Sequence, residues 1–161
     1  MQTDIIIADY HNARHQAAIR QLMDHYARDP MGGGEALPDA ILDNIATGLA
    51  GVDGAFTVLA LQQDKAVGLI NALPGFSTFK CKPLINIHDV VVVAGLRGQG
   101  IAGRMMARVE DVGRQRGCCK LTLEVLQGNS AAQASYRNSG FDGYELDPQM
   151  GSALFWQKVL S

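Results

Sequence analysis

Leu96-Arg97-Gly98-Gln99-Gly100-Ile101-Ala102-Gly103 stands between an apolar run, Ile85 to Val93, that reads as a strand and a run reaching Arg116 that reads as a helix. A glycine-rich turn between strand and helix directs several backbone N–H groups onto one anion, and the helix N-terminus behind it adds its dipole. Gly98, Gly100 and Gly103 take away the side chains that would keep a phosphate off the backbone. Arg97 adds a planar cationic fork suited to phosphate oxygens. A ligand carrying a pyrophosphate is the first expectation for this chain.

Two readings fit the turn. It satisfies G-x-G-x-x-G, the dinucleotide fingerprint, and Glu124 falls about 20 residues on, where a ribose-binding acid is expected. It equally satisfies R-x-x-G-x-A, with Arg97, Gly100 and Ala102 at the defined positions. Further along, the chain reads Asn129-Ser-Ala-Ala132-Gln-Ala-Ser-Tyr136-Arg-Asn-Ser-Gly140-Phe141. The two blocks together resemble the paired signatures of the GNAT superfamily of N-acetyltransferases, R-x-x-G-x-A and N-x-x-A-x-x-x-Y-x-x-x-G-F. A dinucleotide fold gives no reason for the second block. The resemblance is strong from Ile85 to Phe141 and holds in outline elsewhere.

The rest of the pattern agrees. Ile5 to Ala8 reads as a strand. Asn12 caps a helix with apolar Ala17, Ile19, Leu22, Met23 and Tyr26 at helical spacing. Gly32-Gly33-Gly34 breaks the chain, and a second helix follows Pro38 with Ile41, Leu42, Ile45 and Leu49. Phe56 to Leu61 and Ala66 to Leu73 predict a hairpin, 74–83 an irregular stretch, and Leu84 to Val93 a strand. Helix Gly100 to Arg116 buries Ile101, Met105, Val109 and Val112. Leu121 to Val125 predicts a strand, Ser130 to Asn138 a helix, and Tyr144 to Leu146 with Ala153 to Val159 a final hairpin. The fold class is therefore α/β (α+β), a mixed, mostly antiparallel sheet of about seven strands with about four helices and one parallel strand–helix–strand crossover.

The chain has 161 residues, which fits one domain, 1–161. With 14 basic and 16 acidic residues it carries a formal charge of −2, so no broad positive field recruits nucleic acid or an anionic membrane. Three cysteines, two of them adjacent (Cys118, Cys119), make neither a disulfide framework nor a C-x-x-C metal pair, and no metal is expected. Met1 to Ile7 lacks a basic region, its apolar run is too short for a signal peptide, and no stretch is long enough to span a membrane. A cytoplasmic protein with reduced thiols is expected.

The resemblance implies acetyl transfer from acetyl-CoA, as co-substrate, to a primary amine by direct attack, a small molecule as acceptor, and admits a homodimer. It places the pyrophosphate at Arg97, Gly98, Gln99, Gly100, Ile101, Ala102 and Gly103, and the pantetheine arm beside the main chain of Val90, Val91 and Val92, where one N–H faces the thioester oxygen. Asn129 is expected to cap its helix and lie near the cofactor. Tyr136 aligns with the tyrosine that protonates the departing thiolate. His88 stands where many relatives carry a glutamate base; Asp89 is the other base candidate on that strand. Strict alternation places Asn86, His88, Val90 and Val92 on one face and Ile85, Ile87, Asp89 and Val91 on the other. Carboxylates that could meet a polycationic acceptor are Asp24, Asp29, Glu35, Asp39 and Asp43 by position. A non-catalytic acyl-CoA-binding module and a dinucleotide-dependent oxidoreductase are the competing functions.

Overall fold

A computed structural model describes residues 1–160. The chain divides into two compact units, Met1–Leu123 and the residues from Glu124 onward.

The first unit is a five-stranded sheet in chain order, β1 (Asp4–Ile7), β2 (Phe56–Gln62), β3 (Lys65–Ser77), β4 (Lys82–Val92) and β5 (Leu121–Leu123). Neighbours from β1 to β4 are antiparallel, and β5 runs parallel to β4 after the crossover through α4 (Ile101–Gln115). Helix α1 (Ala13–Arg28) starts where Asn12 Oδ1 accepts from the N–H groups of Arg14 and His15, at 2.9 and 3.2 Å. It ends before Asp29-Pro30, since the residue preceding proline disfavours helical backbone. Ala18, Ile19 and Leu22 of α1 pack with Leu59, Leu69 and Val91 of the sheet, all buried.

Helix α4 covers the opposite face. Gly68 lets it come close: a Cβ there would stand 2.9 Å from Met105 Cε and 3.0 Å from the Val91 carbonyl. Met105, Met106, Val109 and Gly113 are buried, while Val112 is half-buried, so the apolar stripe is as expected but turned slightly. At its C-terminal end the Arg116 guanidinium lies over the Phe56 ring (4.9 Å) and donates to the Gly54 carbonyl.

The expected second helix forms as two short ones, α2 (Asp39–Leu42) and α3 (Ile45–Ala50). The break falls at Asn44, whose amide donates to the Ala40 carbonyl at 2.7 Å, a local bond that competes with the helix ladder. The stretch 74–83 is not irregular. Its strands continue to Ser77↔Lys82, with Pro74 opposite Ile85 and Pro83 opposite Phe76. Ile85 N–H donates to the Lys120 carbonyl and Cys119 N–H to the Pro83 carbonyl, so the odd-numbered residues here direct their main-chain groups towards β5 and away from β3. The missing N–H of Pro83 therefore costs the β3–β4 ladder nothing.

In the second unit α5 (Ser130–Asn138) is capped by Asn129, whose side chain accepts from Ala132 N–H at 3.1 Å. Pro148–Met150 forms a 3₁₀ turn, capped by the Asp147 side chain, which accepts from Gln149 N–H. The flanking segments do not form the expected final hairpin. One bond, Ala153 N–H to the Tyr144 carbonyl at 3.0 Å, links them, and Leu146, Leu154, Phe155, Trp156 and Val159 are exposed. A two-stranded ribbon that buries no apolar face lacks the gain that would offset its ordering. The sheet thus has five strands rather than about seven.

Candidate functional site

The turn before α4 has the geometry of an anion cradle. Gly98 and Gly100 sit at φ +79° and +74°, a left-handed backbone that glycine adopts without strain. A Cβ built at Gly98, Gly100 or Gly103 would meet nothing within 4 Å. Gly100 is the N-cap of α4 and brings no side chain to cap it. The first main-chain bond into this helix is Arg104 N–H to the Gly100 carbonyl, so the N–H groups of Ile101, Ala102 and Gly103 carry no intrahelical acceptor. Gly98, Gln99, Gly100 and Gly103 are exposed, and Ala102 is half-buried.

Arg97 is already engaged. Its guanidinium pairs with Asp29 at 2.8 Å and donates from Nε to the Val92 carbonyl at 3.2 Å. Arg97 foremost, and then the Met31 N–H, hold the Asp29 carboxyl below the usual carboxylate range. About half of the Arg97 side chain is exposed (54%), so the pair orients the side chain more than it stabilises the fold.

Beside the cradle, β4 has an open edge. It pairs with β5 only over Ile85 to Ile87. At the other end Val93 N–H donates to the Val67 carbonyl, towards β3. Main-chain direction alternates along a strand, so the N–H groups of Val90 and Val92 face away from β3, onto the edge that β5 leaves unpaired.

Ile85 donates towards β5 and Val93 towards β3, although both are odd-numbered. An extra residue must lie between them, and the register supplies it: Ala72 faces Ile87, Asn71 faces Asp89, and His88 has no partner. This bulge corrects the alternation expected from sequence. Ile85 and Ile87 stay on the α4 face, with Ile85 under Gly113, whereas Asp89 and Val91 turn to the α1 face. His88 itself is exposed at the bulge.

Asp89 ends a hydrogen-bonded chain that runs through two buried polar side chains, Thr57 and Asn71, and that periodicity does not reveal. Thr57 Oγ1 donates to Asn71 Oδ1 at 2.7 Å, and Asn71 Nδ2 donates to Asp89 Oδ2 at 2.9 Å. Tyr10 Oη lies 2.8 Å from Thr57 Oγ1; the single Thr57 proton is committed to Asn71, so Tyr10 is the donor. Thr57 and Asn71 are 0% and 2% exposed, each flanked by apolar residues in its strand. Asn71 inside Leu69-Ile70-Asn71-Ala72-Leu73 was the visible signal. Tyr26 of α1 shares this region: burial foremost, then the Asp89 and Asp29 carboxylates, push its phenol above the ordinary range.

Of the five carboxylates named by position, four belong to ion pairs within the chain. Arg20 clamps Asp39 and Asp43, Arg28 pairs with Asp24, and Arg97 with Asp29. In the second unit, Tyr136 lies half-buried on α5 with its ring edge-on to Phe141, 6.0 Å between centroids. Asn129 has its capping role there. Among the described residues no group of three or more His, Cys, Asp or Glu side chains is placed to hold a metal ion, and no helix is long and apolar enough to cross a membrane.

Residues 18–141 match the family described as the acetyltransferase (GNAT) family. The uncharacterized N-acetyltransferase YhfO of Bacillus subtilis is 26% identical over 131 residues, covering 78% of this chain and 83% of that protein. Streptothricin acetyltransferase of Streptomyces lavendulae is 37% identical over 93 residues, 56% of this chain and 47% of that protein. Among solved structures, the aminoglycoside N-acetyltransferase AAC(6')-Iy in complex with CoA superimposes with a TM-score of 0.75 at 20% identity, covering 98% of this chain and 95% of that one. With the family's match running from α1 through the cradle to Phe141, the chain belongs to the acetyltransferase (GNAT) family.

Proposed function

We propose that the protein transfers an acetyl group from acetyl-CoA to the primary amine of a small molecule, by direct attack in a ternary complex. The observation that carries this reading is the uncapped N-terminus of α4 behind two left-handed glycines, beside the open edge of β4. These residues fit a pyrophosphate followed by an extended amide-bearing arm: an anion takes the unclaimed N–H groups, and the arm pairs with the main chain of Val90 and Val92 as an added strand would. Relatives named for streptothricin and aminoglycoside acetylation favour a small-molecule acceptor.

Acetyl-CoA supplies the activated acyl carbon, and the chain's own groups act around it. Residues 97–103 bind the phosphates. An edge-facing N–H of β4 donates to the oxygen that gains charge. His88, exposed at the bulge, takes a proton from the acceptor's ammonium so that the free amine can attack the acyl carbon as the C–S bond breaks, and Tyr136 gives a proton to the departing sulfur.

Release of free CoA thiol with a panel of primary amines tests the activity. Turnover with one or more amines is the expected result; tight acetyl-CoA binding without turnover on any of them would favour a non-catalytic acyl-CoA-binding module. The base assignment has its own check. His88→Gln is expected to remove the acidic limb of the kcat/KM profile, since an imidazole takes a proton only in its neutral form. The amine's own titration is common to both proteins, so a profile identical in the variant would return His88 to a structural role.

A further inference from the structure

We infer that Asp29, at the C-terminal end of α1, is a positioning residue for the cofactor's pyrophosphate: it holds the Arg97 guanidinium at the junction between the open edge of β4 and the cradle. The inference rests on the acetyl-transfer reading above and adds a residue, with the turn that carries it, to the phosphate site. Both ends of the contact are fixed. On the Arg97 side, Nη2 donates to Asp29 Oδ2 at 2.8 Å and Nε to the Val92 carbonyl at 3.2 Å. A residue of an antiparallel strand sends its N–H and C=O to the same side. The Val92 carbonyl therefore lies on the edge that β5 leaves unpaired, where an extended arm would pass into the cradle. A guanidinium carries five N–H groups. Two are used here, and the other three have no partner among the described residues.

On the Asp29 side the carboxylate is set by a turn. Its Oδ1 accepts from Met31 N–H at 2.9 Å, and its carbonyl accepts from Gly32 and Gly34 N–H at 2.8 and 3.0 Å. Gly32 presses this turn against the end of α1, and a Cβ there would collide with the Tyr26 carbonyl. The glycine run that reads in the sequence as a plain chain break thus closes a holder for one side chain. The contact joins residues 68 apart, and the Asp29 side chain is 21% exposed, against 85% and 59% for the carboxylates that Arg20 holds. Solvent screens it less than those surface pairs. With both of its oxygens engaged, Asp29 takes no further N–H from the fork. Arg97 therefore loses its rotamer freedom when the chain folds and not when the phosphates arrive, which is the advantage of a preorganised group.

The test is titration calorimetry of the full-length protein with acetyl-CoA and with S-acetylpantetheine, which keeps the thioester arm and lacks the pyrophosphate. Asp29→Asn keeps an oxygen for Met31 N–H, so the turn and Tm are expected to be retained. Its acetyl-CoA Kd is expected to rise about threefold to tenfold, the scale of one long side chain that must be ordered on binding, with the S-acetylpantetheine Kd unchanged. Asp29→Ser, which caps the turn but is too short to reach Arg97, is expected to show the same pattern. In an Arg97→Gln background the penalty of either substitution is expected to vanish, because a residue that acts only through Arg97 has nothing left to hold. An acetyl-CoA Kd in Asp29→Asn that is within about twofold of wild type, or tighter, would overturn the inference while leaving the cofactor site in place. An equal loss for both ligands, or a penalty that persists without Arg97, would overturn it too, since either marks a structural role. Wild-type protein that binds no acetyl-CoA would fail the functional reading, and the inference with it.

Discussion

Gly100→Asp is expected to abolish acetyl-CoA binding while leaving the melting temperature close to that of wild type. Gly100 lies at φ +74° with open space where a Cβ would stand. Aspartate is among the few residues that tolerate this backbone, at a cost of about 1 kcal/mol. A carboxylate at the N-cap also accepts from first-turn N–H groups, which offsets part of that strain. Those are the groups proposed to meet the pyrophosphate. The substituted side chain therefore occupies the anion's place and repels it, and the cost falls on binding rather than folding. Gly100→Ala separates the two effects: it brings the Cβ and the strain without the charge, and is expected to weaken binding less. Isothermal titration with acetyl-CoA reads the result. Wild-type affinity in Gly100→Asp would show that the phosphates bind elsewhere.

Tyr136→Phe is expected to lower kcat by roughly 10²- to 10⁴-fold, the range for a lost general acid, with acetyl-CoA affinity unchanged. The assignment rests on the tyrosine's place in Asn129 to Phe141, seven residues after the Asn129 cap. A phenol O–H is a competent proton donor to a departing thiolate. Phenylalanine keeps the ring that meets Phe141 edge-on, so α5 keeps its packing and the measured loss belongs to the hydroxyl. Equal single-turnover rates in variant and wild type would reduce Tyr136 to a packing residue.

What the sequence made legible follows the range of the interactions involved. The cradle at 96–103 is set by neighbouring residues: glycines that adopt positive φ and a helix that begins beside them. It was read directly. Asn12 and Asn129 were legible as caps for the same reason. The orientation of β4 was not. Val90 to Val92 read correctly as strand, but one unpaired residue at His88 exchanges the faces of everything after it, and that bulge is settled by pairing with Asn71 and Ala72 on another strand. Asp89 therefore seemed to lie with Ile85 and Ile87 when it belongs with Val91. The acidic residues of the front helices looked available for an acceptor, because sequence does not show that Arg20 reaches Asp39 and Asp43, or that Arg97 reaches back to Asp29. The final hairpin, Tyr144 to Leu146 with Ala153 to Val159, did not form: a 3₁₀ turn stands between its arms, but Phe155 and Trp156 stay exposed, so burial does not make strands of them.

The most direct test of the central claim, that residues 97–103 and the edge of β4 form an acyl-CoA site, is thermal denaturation of wild-type protein with acetyl-CoA and, separately, with NAD. A ligand at 100-fold its Kd adds roughly 2.7 kcal/mol to the stability of the state it binds. Acetyl-CoA is expected to raise Tm in a concentration-dependent way, with NAD giving no shift and Gly100→Asp abolishing the acetyl-CoA response. Stabilisation by NAD without stabilisation by acetyl-CoA would contradict the account and return the glycine turn to the dinucleotide reading.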